Sequence, residues 1–210
     1  MTIKQIHEIY LTCSAITTDS RNCKKDSLFF ALKGDSFDGN QYAKKALSAG
    51  SKYAIVDDPG LPFEKPFIHV PDVLKTLQDL ASYHRQWLGT PVIAITGTNG
   101  KTTTKELIRE VLKQQYNVLA TKGNLNNHIG VPITLLSLNK KHEIAIIEMG
   151  ANHQGEIGLL CNIADPDYGI ITNVGKAHLE GFGSFEGVMK AKGELYSYIA
   201  DKSGNLFVNN

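Results

Sequence analysis

The sequence predicts an α/β protein made of a small N-terminal α/β domain and a P-loop domain with a parallel sheet. Three observations predict this class. Continuous apolar runs indicate strands that are covered on both faces, and segments of helical periodicity separate them. A glycine-rich turn that ends in Gly-Lys-Thr lies between an apolar run and a helix. Because parallel sheets bind ligands at the carboxyl ends of their strands, the functional residues are expected there.

Composition excludes several classes of function. The chain has 210 residues, and its 22 Lys plus Arg nearly balance 21 Asp plus Glu, which gives a net charge of +1. Without a basic excess, neither a nucleic-acid partner nor an anionic membrane surface is expected. The apolar runs are too short to span a bilayer, and the N-terminus does not resemble a leader. Three cysteines without a CxxC pair argue against a disulfide framework. Cytoplasmic localisation is therefore expected.

Residues 1–88 form the first predicted domain. Thr2 before apolar residues spaced three apart predicts a capped helix, and Pro71-Asp72 predicts the start of a longer one. The predicted elements are a helix near 3–9, a strand at 27–32, a helix at 42–47, a strand at 53–56 and a helix from 73 to 81.

Residues 91–210 form the second predicted domain, after the boundary at Gly89-Thr90-Pro91. Apolar strands are predicted at 92–95, 144–147 and 169–171. Polar residues follow each strand: a loop after Ile95, Glu148 after the second strand and Asn173 near the third. The helix after the loop is expected to place Leu107, Ile108, Val111 and Leu112 on one face.

The loop after Ile95 has the residue types of a phosphate-binding loop. Backbone N–H groups of small residues can surround a phosphate, and the helix N-terminus adds partial positive charge. Lys101 can reach the outer phosphates and the Thr102 hydroxyl can ligate Mg²⁺. The alternative without a function is a turn with a solvated lysine. The position of the loop between a strand and a helix favours phosphate binding. The candidate nucleotide-binding residues are Gly97, Thr98, Asn99, Gly100, Lys101, Thr102 and Thr103.

Seven motifs carry a resemblance to a known family. They are residues 18–21, 30–39, 97–103, 123–132, 148–157, 177–184 and 191–194. In this order, over nearly the whole chain, they resemble the Mur ligase family. One departure from the general phosphate loop, Ile95 where a glycine is usual, is itself similar to this family's loop.

The resemblance implies an ATP-dependent amide ligase of peptidoglycan precursor synthesis. Such an enzyme would join D-Ala-D-Ala to UDP-MurNAc-tripeptide through an acyl phosphate, with ATP and Mg²⁺ as cofactors. Residues 1–88 would bind the UDP-muramoyl substrate, and residues 91–210 would be an incomplete central ATP-binding domain. The resemblance further implies a monomer that lacks the family's third domain and is inactive alone.

Four residues are assigned catalytic roles by this resemblance: Lys101, Glu148, His178 and Lys192. From the residues alone, Glu148 is either a Mg²⁺ ligand or a solvated strand-end acid, and Lys192 looks like a solvated helix lysine. The resemblance makes Thr102, Glu148, His178 and Lys192 the metal ligands, the last as a carbamate formed with CO₂. Lys190 is the alternative site for that modification.

The resemblance further implies substrate contacts in both domains. Arginine and serine suit phosphate and short polar contacts, and asparagine amides suit sugar and base groups. The bland alternative for each is a surface loop residue. The predicted substrate-binding residues are Ser20, Arg21, Lys33, Asp38, Gly39, Asn124, Asn126, Asn127 and His153, with His128 as a further contact.

Three other functions remain open at this point. A sister ligase that adds the third residue of the stem peptide shares the ATP loop. A non-catalytic UDP-sugar binding module needs only the first domain. A P-loop switch protein would bind nucleotide without UDP-sugar affinity, and Ile95 in place of the early glycine argues against it.

Overall fold

The computed structural model describes residues 1–175 and 179–208. The chain divides into two compact units, Met1–Tyr83 and His84–Asn210. The division falls within one helix, α3 (Val73–Leu88). Across the described residues, no helix is both long enough and apolar enough to cross a membrane.

The first unit is built on a four-stranded parallel sheet with a small antiparallel hairpin. Its strands are β1 (Ile16–Thr17), β2 (Ser27–Phe30), β3 (Lys33–Gly34), β4 (Phe37–Asp38), β5 (Ser51–Val56) and β6 (Phe67–His69). The sheet has the order β1-β2-β5-β6, and β3 pairs with β4 in the hairpin. All four residues of β2 are buried, as expected for a strand covered on both faces.

Helices of the first unit follow the predicted signals. They are α1 (Ile3–Tyr10), a 3₁₀ turn (Gly39–Tyr42), α2 (Ala43–Ser48) and the first part of α3. Thr2 and Gln5 form a capping box at the start of α1, so the predicted cap is confirmed. Phe29, Ala54 and Val56 of the sheet pack with Ala43 and Ala46 in one core cluster.

The second unit is built on a five-stranded parallel sheet. Its strands are β7 (Val92–Thr96), β8 (Val118–Ala120), β9 (Ile144–Glu148), β10 (Tyr168–Ile171) and β11 (Asn205–Phe207). Its helices are α4 (Lys101–Leu112), α5 (Gly130–Leu135), α6 (Glu156–Ala164), α7 (Leu179–Phe182) and α8 (Phe185–Asp201). The strand order is β11-β10-β7-β9-β8, so the chain passes from one side of β7 to the other between β9 and β10. A crevice at the carboxyl end of β7 follows from this reversal.

The predicted apolar face of α4 is buried only in part. Ile108 and Leu112 of α4 pack against the core formed with Ile95, but Leu107 and Val111 are 64% and 70% exposed. The four residues cover more of the helix circumference than the sheet can bury, because positions three and four apart fix the buried stripe. The apolar pattern therefore predicted the helix correctly and its buried face only in part.

Candidate functional site

The loop between β7 and α4 has a backbone that requires glycine. Gly97 has φ +143° and Gly100 has φ +78°, values that residues with a Cβ rarely adopt. A Cβ at Gly97 would also collide with Thr172 Oγ1. Gly100 is the N-cap residue of α4, and the first N–H groups of a helix have no partners within the helix.

Lys101 lies over this loop. Its Nζ donates to the carbonyl oxygens of Gly97 at 2.7 Å and Thr98 at 3.1 Å. The ammonium group and the N-terminus of the 12-residue α4 therefore put positive charge at one place. This is the arrangement that attracts and orients phosphate groups.

The end of β10 braces the same loop. Asn173 accepts the Thr98 N–H with its carbonyl at 3.1 Å and the Asn99 N–H with its side chain at 3.0 Å. Thr172 Oγ1 donates to the Asn99 carbonyl at 2.6 Å. The sequence placed Asn173 at a strand end without a role, and the structure makes it a support that fixes the loop.

Glu148 ends β9 and is almost fully buried, with 2% exposed. Its carboxylate accepts a hydrogen bond from Thr102 Oγ1 at 3.0 Å and from Asn126 Nδ2 at 2.9 Å. Its own N–H donates to Thr121 Oγ1 at 2.9 Å. The bland expectation of a solvated acid is thus wrong, because the sheet register carries this carboxylate to the start of α4.

Lys192 of α8 is also buried, with 3% exposed, which overturns its appearance as a solvated helix lysine. Burial, together with the nearby charge of Lys101, lowers the Lys192 pKa to about 8. The Lys192 ammonium lies 5.5 Å from the centre of the Phe182 ring. Lys190, the alternative residue, is exposed on the same helix. A neutral amine is accessible near physiological pH at Lys192.

Two carboxylates that the sequence did not single out organise the start of α6. Glu194 of α8 accepts the N–H groups of Gly155 at 2.6 Å and Gly158 at 2.8 Å. Glu156 accepts those of Asn152 at 2.6 Å and His153 at 3.2 Å. Burial would raise the Glu156 pKa, but these hydrogen bonds lower it below its ordinary value. Both acids lie in the resembling motifs 148–157 and 191–194, which was the available signal.

These elements enclose a cavity of about 420 Å³ in the second unit. Its wall joins the phosphate loop (residues 97–103) to the asparagine loop (residues 126–128), the start of α6 and the buried side of α8. The sequence-predicted residues on the wall are Gly97, Thr98, Lys101, Asn126, Asn127, His128 and Lys192. Glu156, Leu159, Phe182 and Val188 are wall residues that were not predicted.

Some predicted residues lie elsewhere. Asn124 and His153 are exposed and are not part of the cavity wall, and His153 Nδ1 lies 3.2 Å from Glu156 Oε1. Asn127 Oδ1 accepts the N–H groups of Ile129 and Gly130, so it also caps α5. His178 lies outside the described residues.

In the first unit, Ser20 and Arg21 follow β1 at the carboxyl edge of the sheet. Ser20 is buried and 8% exposed, whereas the Arg21 side chain is 81% exposed and pairs with Asp19 at 2.8 Å. The hydrogen bonds from Arg21 lower the Asp19 pKa to about 2. An exposed guanidinium held by a neighbouring carboxylate keeps free N–H donors for an anionic ligand.

The hairpin of β3 and β4 lies at the same edge, after β2. Asp38 and Asp57 both accept from the buried Asn40 side chain, at 2.8 and 2.7 Å. Lys33 pairs with Asp57 at 2.9 Å. Gly39 approaches the backbone of residues 31 and 32 so closely that a Cβ would overlap it. Lys33 and Asp38 are thus linked through Asn40 and Asp57, and Gly39 donates its N–H to the Leu32 carbonyl at 2.9 Å.

Oxygen donors suited to Mg²⁺ occur at Glu148. In residues 1–175 and 179–208, no group of three or more His, Cys, Asp or Glu side chains could hold a metal ion. The Thr102 hydroxyl and the Glu148 carboxylate nevertheless converge beside the phosphate loop. Mg²⁺ commonly takes one or two protein oxygens and completes its shell with phosphate and water oxygens, so this donor set fits it.

Comparison with known families decides the relationship. Residues 95–210, more than half of the chain, match the family model described as the Mur ligase middle domain. The chain belongs to the Mur ligase family. Residues 12–85 of this Mur ligase chain match a second model, described as the Mur ligase family, catalytic domain. The resemblance drawn from the motifs is confirmed.

Curated relatives extend the match. The Mur ligase chain is 43% identical over 195 residues to UDP-N-acetylmuramoyl-tripeptide–D-alanyl-D-alanine ligase of Bacillus subtilis, covering 92% of this chain and 43% of the relative. It is 44% identical over 191 residues to the enzyme of that name from Escherichia coli, covering 91% and 42%. The chain therefore spans about two fifths of the length of these relatives.

Solved structures confirm the mixed α/β fold with parallel sheets. A crystal structure of MurF from Acinetobacter baumannii matches 94% of the Mur ligase chain and 46% of its own length, with a TM-score of 0.84 and 37% identity. MurF ligase from Thermotoga maritima in complex with ADP matches 90% and 44%, with a TM-score of 0.82 and 35% identity.

Proposed function

We propose that this Mur ligase chain carries the ATP-binding and UDP-substrate-binding parts of an ATP-dependent carbon–nitrogen ligase. The reaction is the joining of D-Ala-D-Ala to UDP-MurNAc-tripeptide, as the names of its relatives indicate. The observation that carries the proposal is the cavity that unites Lys101 of the phosphate loop with Lys192 and the asparagine loop. The cytoplasm, where ATP and UDP-linked precursors occur, is the proposed location.

ATP is proposed to bind with its outer phosphates at Gly97–Thr103. The N–H groups at the start of α4 and the Lys101 ammonium supply the positive potential. Thr102 and Glu148 would hold Mg²⁺, which when bound neutralises phosphate charge. Support comes from the 3.0 Å contact between Thr102 and Glu148 and from the ADP complex of the Thermotoga relative.

The proposed chemistry begins with an unreactive carboxylate. The substrate carboxylate attacks the γ-phosphate of ATP, which breaks the bond to ADP and forms an acyl phosphate. The amine of the incoming dipeptide then adds to the acyl carbon, phosphate leaves and the amine loses a proton. Lys101 and the loop N–H groups would hold the phosphoryl oxygens during transfer, so the contribution of these residues is positioning and electrostatic stabilisation.

Lys192 is proposed to act as a carbamate. Its neutral amine would add to CO₂ and release a proton, which converts a cationic side chain into an anionic oxygen ligand. Burial and the lowered pKa, about 8, raise the neutral fraction of the amine. The carbamate would then add negative charge to the cavity wall, to which Lys101 also contributes, and with His178 it would help hold a divalent cation.

The UDP-substrate site is proposed at the carboxyl edge of the first sheet. Arg21, with its exposed guanidinium, would contact the diphosphate, and the Lys33–Asp38 hairpin would contact the remaining polar groups. Support comes from the topology, which brings the ends of β1, β2 and β5 to one edge.

Calorimetric titration of the chain with UDP-MurNAc-tripeptide tests the substrate assignment. We expect saturable binding that Arg21→Ala weakens at least about tenfold, the size of one lost charge-assisted contact. Arg109→Ala is the matched control, since Arg109 is an exposed arginine paired with acids on α4. Equal affinity in both variants would contradict the site. Stronger binding of UDP-MurNAc-dipeptide than of the tripeptide would favour the sister ligase.

A further inference from the structure

Lys105 is a buried lysine beside Glu148 that the proposed mechanism does not use. Only 1% of its side chain is exposed. Its Nζ lies 3.8 Å from Glu148 Oε2 and 3.1 Å from Glu106 Oε1. An ammonium group is costly to bury unless it is paired and hydrogen-bonded. The position therefore uses the charge of lysine as well as its apolar stem.

The position of Lys105 is fixed from two directions. It lies three residues after Thr102 on α4, so both side chains lie on one face of the helix and both reach Glu148. Lys105 Nζ donates to the Thr121 carbonyl at 2.7 Å, while Thr121 Oγ1 accepts the Glu148 N–H at 2.9 Å. Thr121, which follows the neighbouring strand β8, thus contacts both the Lys105 ammonium group and the backbone N–H of Glu148.

We propose that Lys105 is the resident cation of the Glu148 site: it balances the carboxylate when no divalent cation is bound and repels the divalent cation that the carboxylate would bind. Lys105 thereby sets the Mg²⁺ concentration that nucleotide binding requires. The proposal rests on the proposed function, because it takes Glu148 as a Mg²⁺ ligand.

The sign of the effect follows from Coulomb's law. A fixed positive charge a few ångströms from a carboxylate offsets part of the field that attracts Mg²⁺, and burial leaves little water to screen it. Removing the charge should strengthen Mg²⁺ binding and lower the stability of the metal-free protein. A residue that only fills space would change stability without changing the Mg²⁺ requirement.

The test is calorimetric titration of the chain with adenylyl imidodiphosphate, which is not hydrolysed, at a series of free Mg²⁺ concentrations. The measured quantity is the Mg²⁺ concentration that gives half of the maximal nucleotide affinity. In Lys105→Met we expect this concentration to fall about tenfold or more. The Tm of Lys105→Met in EDTA should be lower than that of the unsubstituted chain. Saturating Mg²⁺ should raise the Tm of the variant by more than it raises the Tm of the unsubstituted chain.

A matched pair of milder variants tests the same idea in the opposite direction. Glu106 shares the Lys105 ammonium and Arg109, whereas Glu110 pairs with Arg109 and Lys113 and not with Lys105. Glu106→Gln should leave Lys105 less neutralised and raise the Mg²⁺ requirement about two- to fivefold, because Glu106 is partly exposed and screened. Glu110→Gln, which also loses a contact to Arg109, should leave the requirement unchanged.

The possible results distinguish a failure of the role of Lys105 from a failure of the proposed function. The role of Lys105 is overturned if Lys105→Met binds the nucleotide with an unchanged Mg²⁺ requirement. It is also overturned if Glu106→Gln and Glu110→Gln have equal effects. Both results leave the proposed function unaffected. If Lys105→Met does not fold, the glutamine pair decides the question. If the folded, unsubstituted chain does not bind the nucleotide with Mg²⁺, the proposed function fails and the inference falls with it.

Discussion

At the scale of single residues, the site depends on polar groups that are buried beside the phosphate loop. The Glu148 carboxylate accepts hydrogen bonds from Thr102 and Asn126. The Lys192 side chain is part of the cavity wall. Buried polar groups are costly unless they are paired. Their burial near the loop at residues 97–103 is therefore the reason that we propose a functional role for both residues.

Glu148→Gln should reduce Mg²⁺-dependent nucleotide binding by at least about tenfold, because the amide cannot provide the anionic oxygen that a hard cation prefers. Calorimetric titration with ATP and Mg²⁺ measures the change. Glu143→Gln is the control, since Glu143 precedes the same strand and accepts only the exposed Asn117 N–H. Similar losses in both variants would argue against a direct role of Glu148.

A carbamate on Lys192 should be detectable by ¹³C NMR after the chain is equilibrated with ¹³C-bicarbonate. We expect a carbamate resonance that grows as the pH is raised from about 7 towards the lowered Lys192 pKa of about 8, because the neutral fraction of the amine increases. Lys192→Arg should abolish the resonance and the exposed control Lys190→Arg should retain it. A resonance lost only in Lys190→Arg would move the modification to that residue.

At the scale of elements, the sequence predicted the strands and helices that have a periodic apolar pattern. It did not predict the short strands that form only by pairing with a neighbour. The apolar runs of β2, β5, β7, β9 and β10 were visible, whereas β1, β3 and β4 have two residues each and no pattern of their own. The cap of α6 was equally invisible, because Glu194 lies 39 residues from Gly155 in sequence. Contacts of this kind depend on how α8 packs and not on local residue types.

An ionic cluster joins the start of the second unit to the amino ends of its strands. Arg85 Nη2 donates to Asp167 Oδ2 at 2.6 Å, and Asp167 also accepts the Val92 N–H at 2.8 Å. Asp165 Oδ1 accepts a hydrogen bond from the Tyr198 hydroxyl at 3.0 Å and another from Lys202 Nζ. Burial would raise the Asp165 pKa, but the contacts from Lys202 and Tyr198 and the charge of Arg85 lower it below its ordinary value.

Asp165→Asn should therefore destabilise the chain more near neutral pH than in acid. A carboxyl group whose pKa is lower in the folded state stabilises that state above its unfolded pKa, about 4, and loses the effect as the pH falls through the folded value. We expect a loss of roughly 1 kcal/mol at about pH 7, since the pair is partly screened, and a smaller loss in acid. Asparagine also tolerates the φ of +48° at this position.

Urea unfolding at the two pH values measures this effect, with Asp79→Asn as the control. Asp79 forms an exposed i,i+4 pair with Lys75, so its loss should be only a few tenths of a kcal/mol. A loss in Asp165→Asn that is equal at both pH values would show that shape and not charge stabilises the cluster.

At the scale of the whole molecule, the motif order predicted the family correctly, and the two kinds of site stay predictions. The structure supplied the hydrogen-bond partners of the predicted site residues. The phosphate loop could be predicted because glycine, lysine and threonine are required at fixed spacing. The burial of Lys192 could not, because an isolated lysine on a helix is solvated in most sequences. The roles of Glu156, Glu194 and Lys105 required the packing of α4, α6 and α8.

The proposed function requires that the second unit bind ATP through the loop at Gly97–Thr103. The decisive measurement is calorimetric titration of the chain with ATP and Mg²⁺, with Lys101→Met as the site variant and Lys113→Met, at an exposed lysine, as its control. We expect saturable binding that Lys101→Met weakens at least about tenfold and Lys113→Met leaves unchanged. A folded chain that shows no binding, or that binds equally well in both variants, would contradict this requirement.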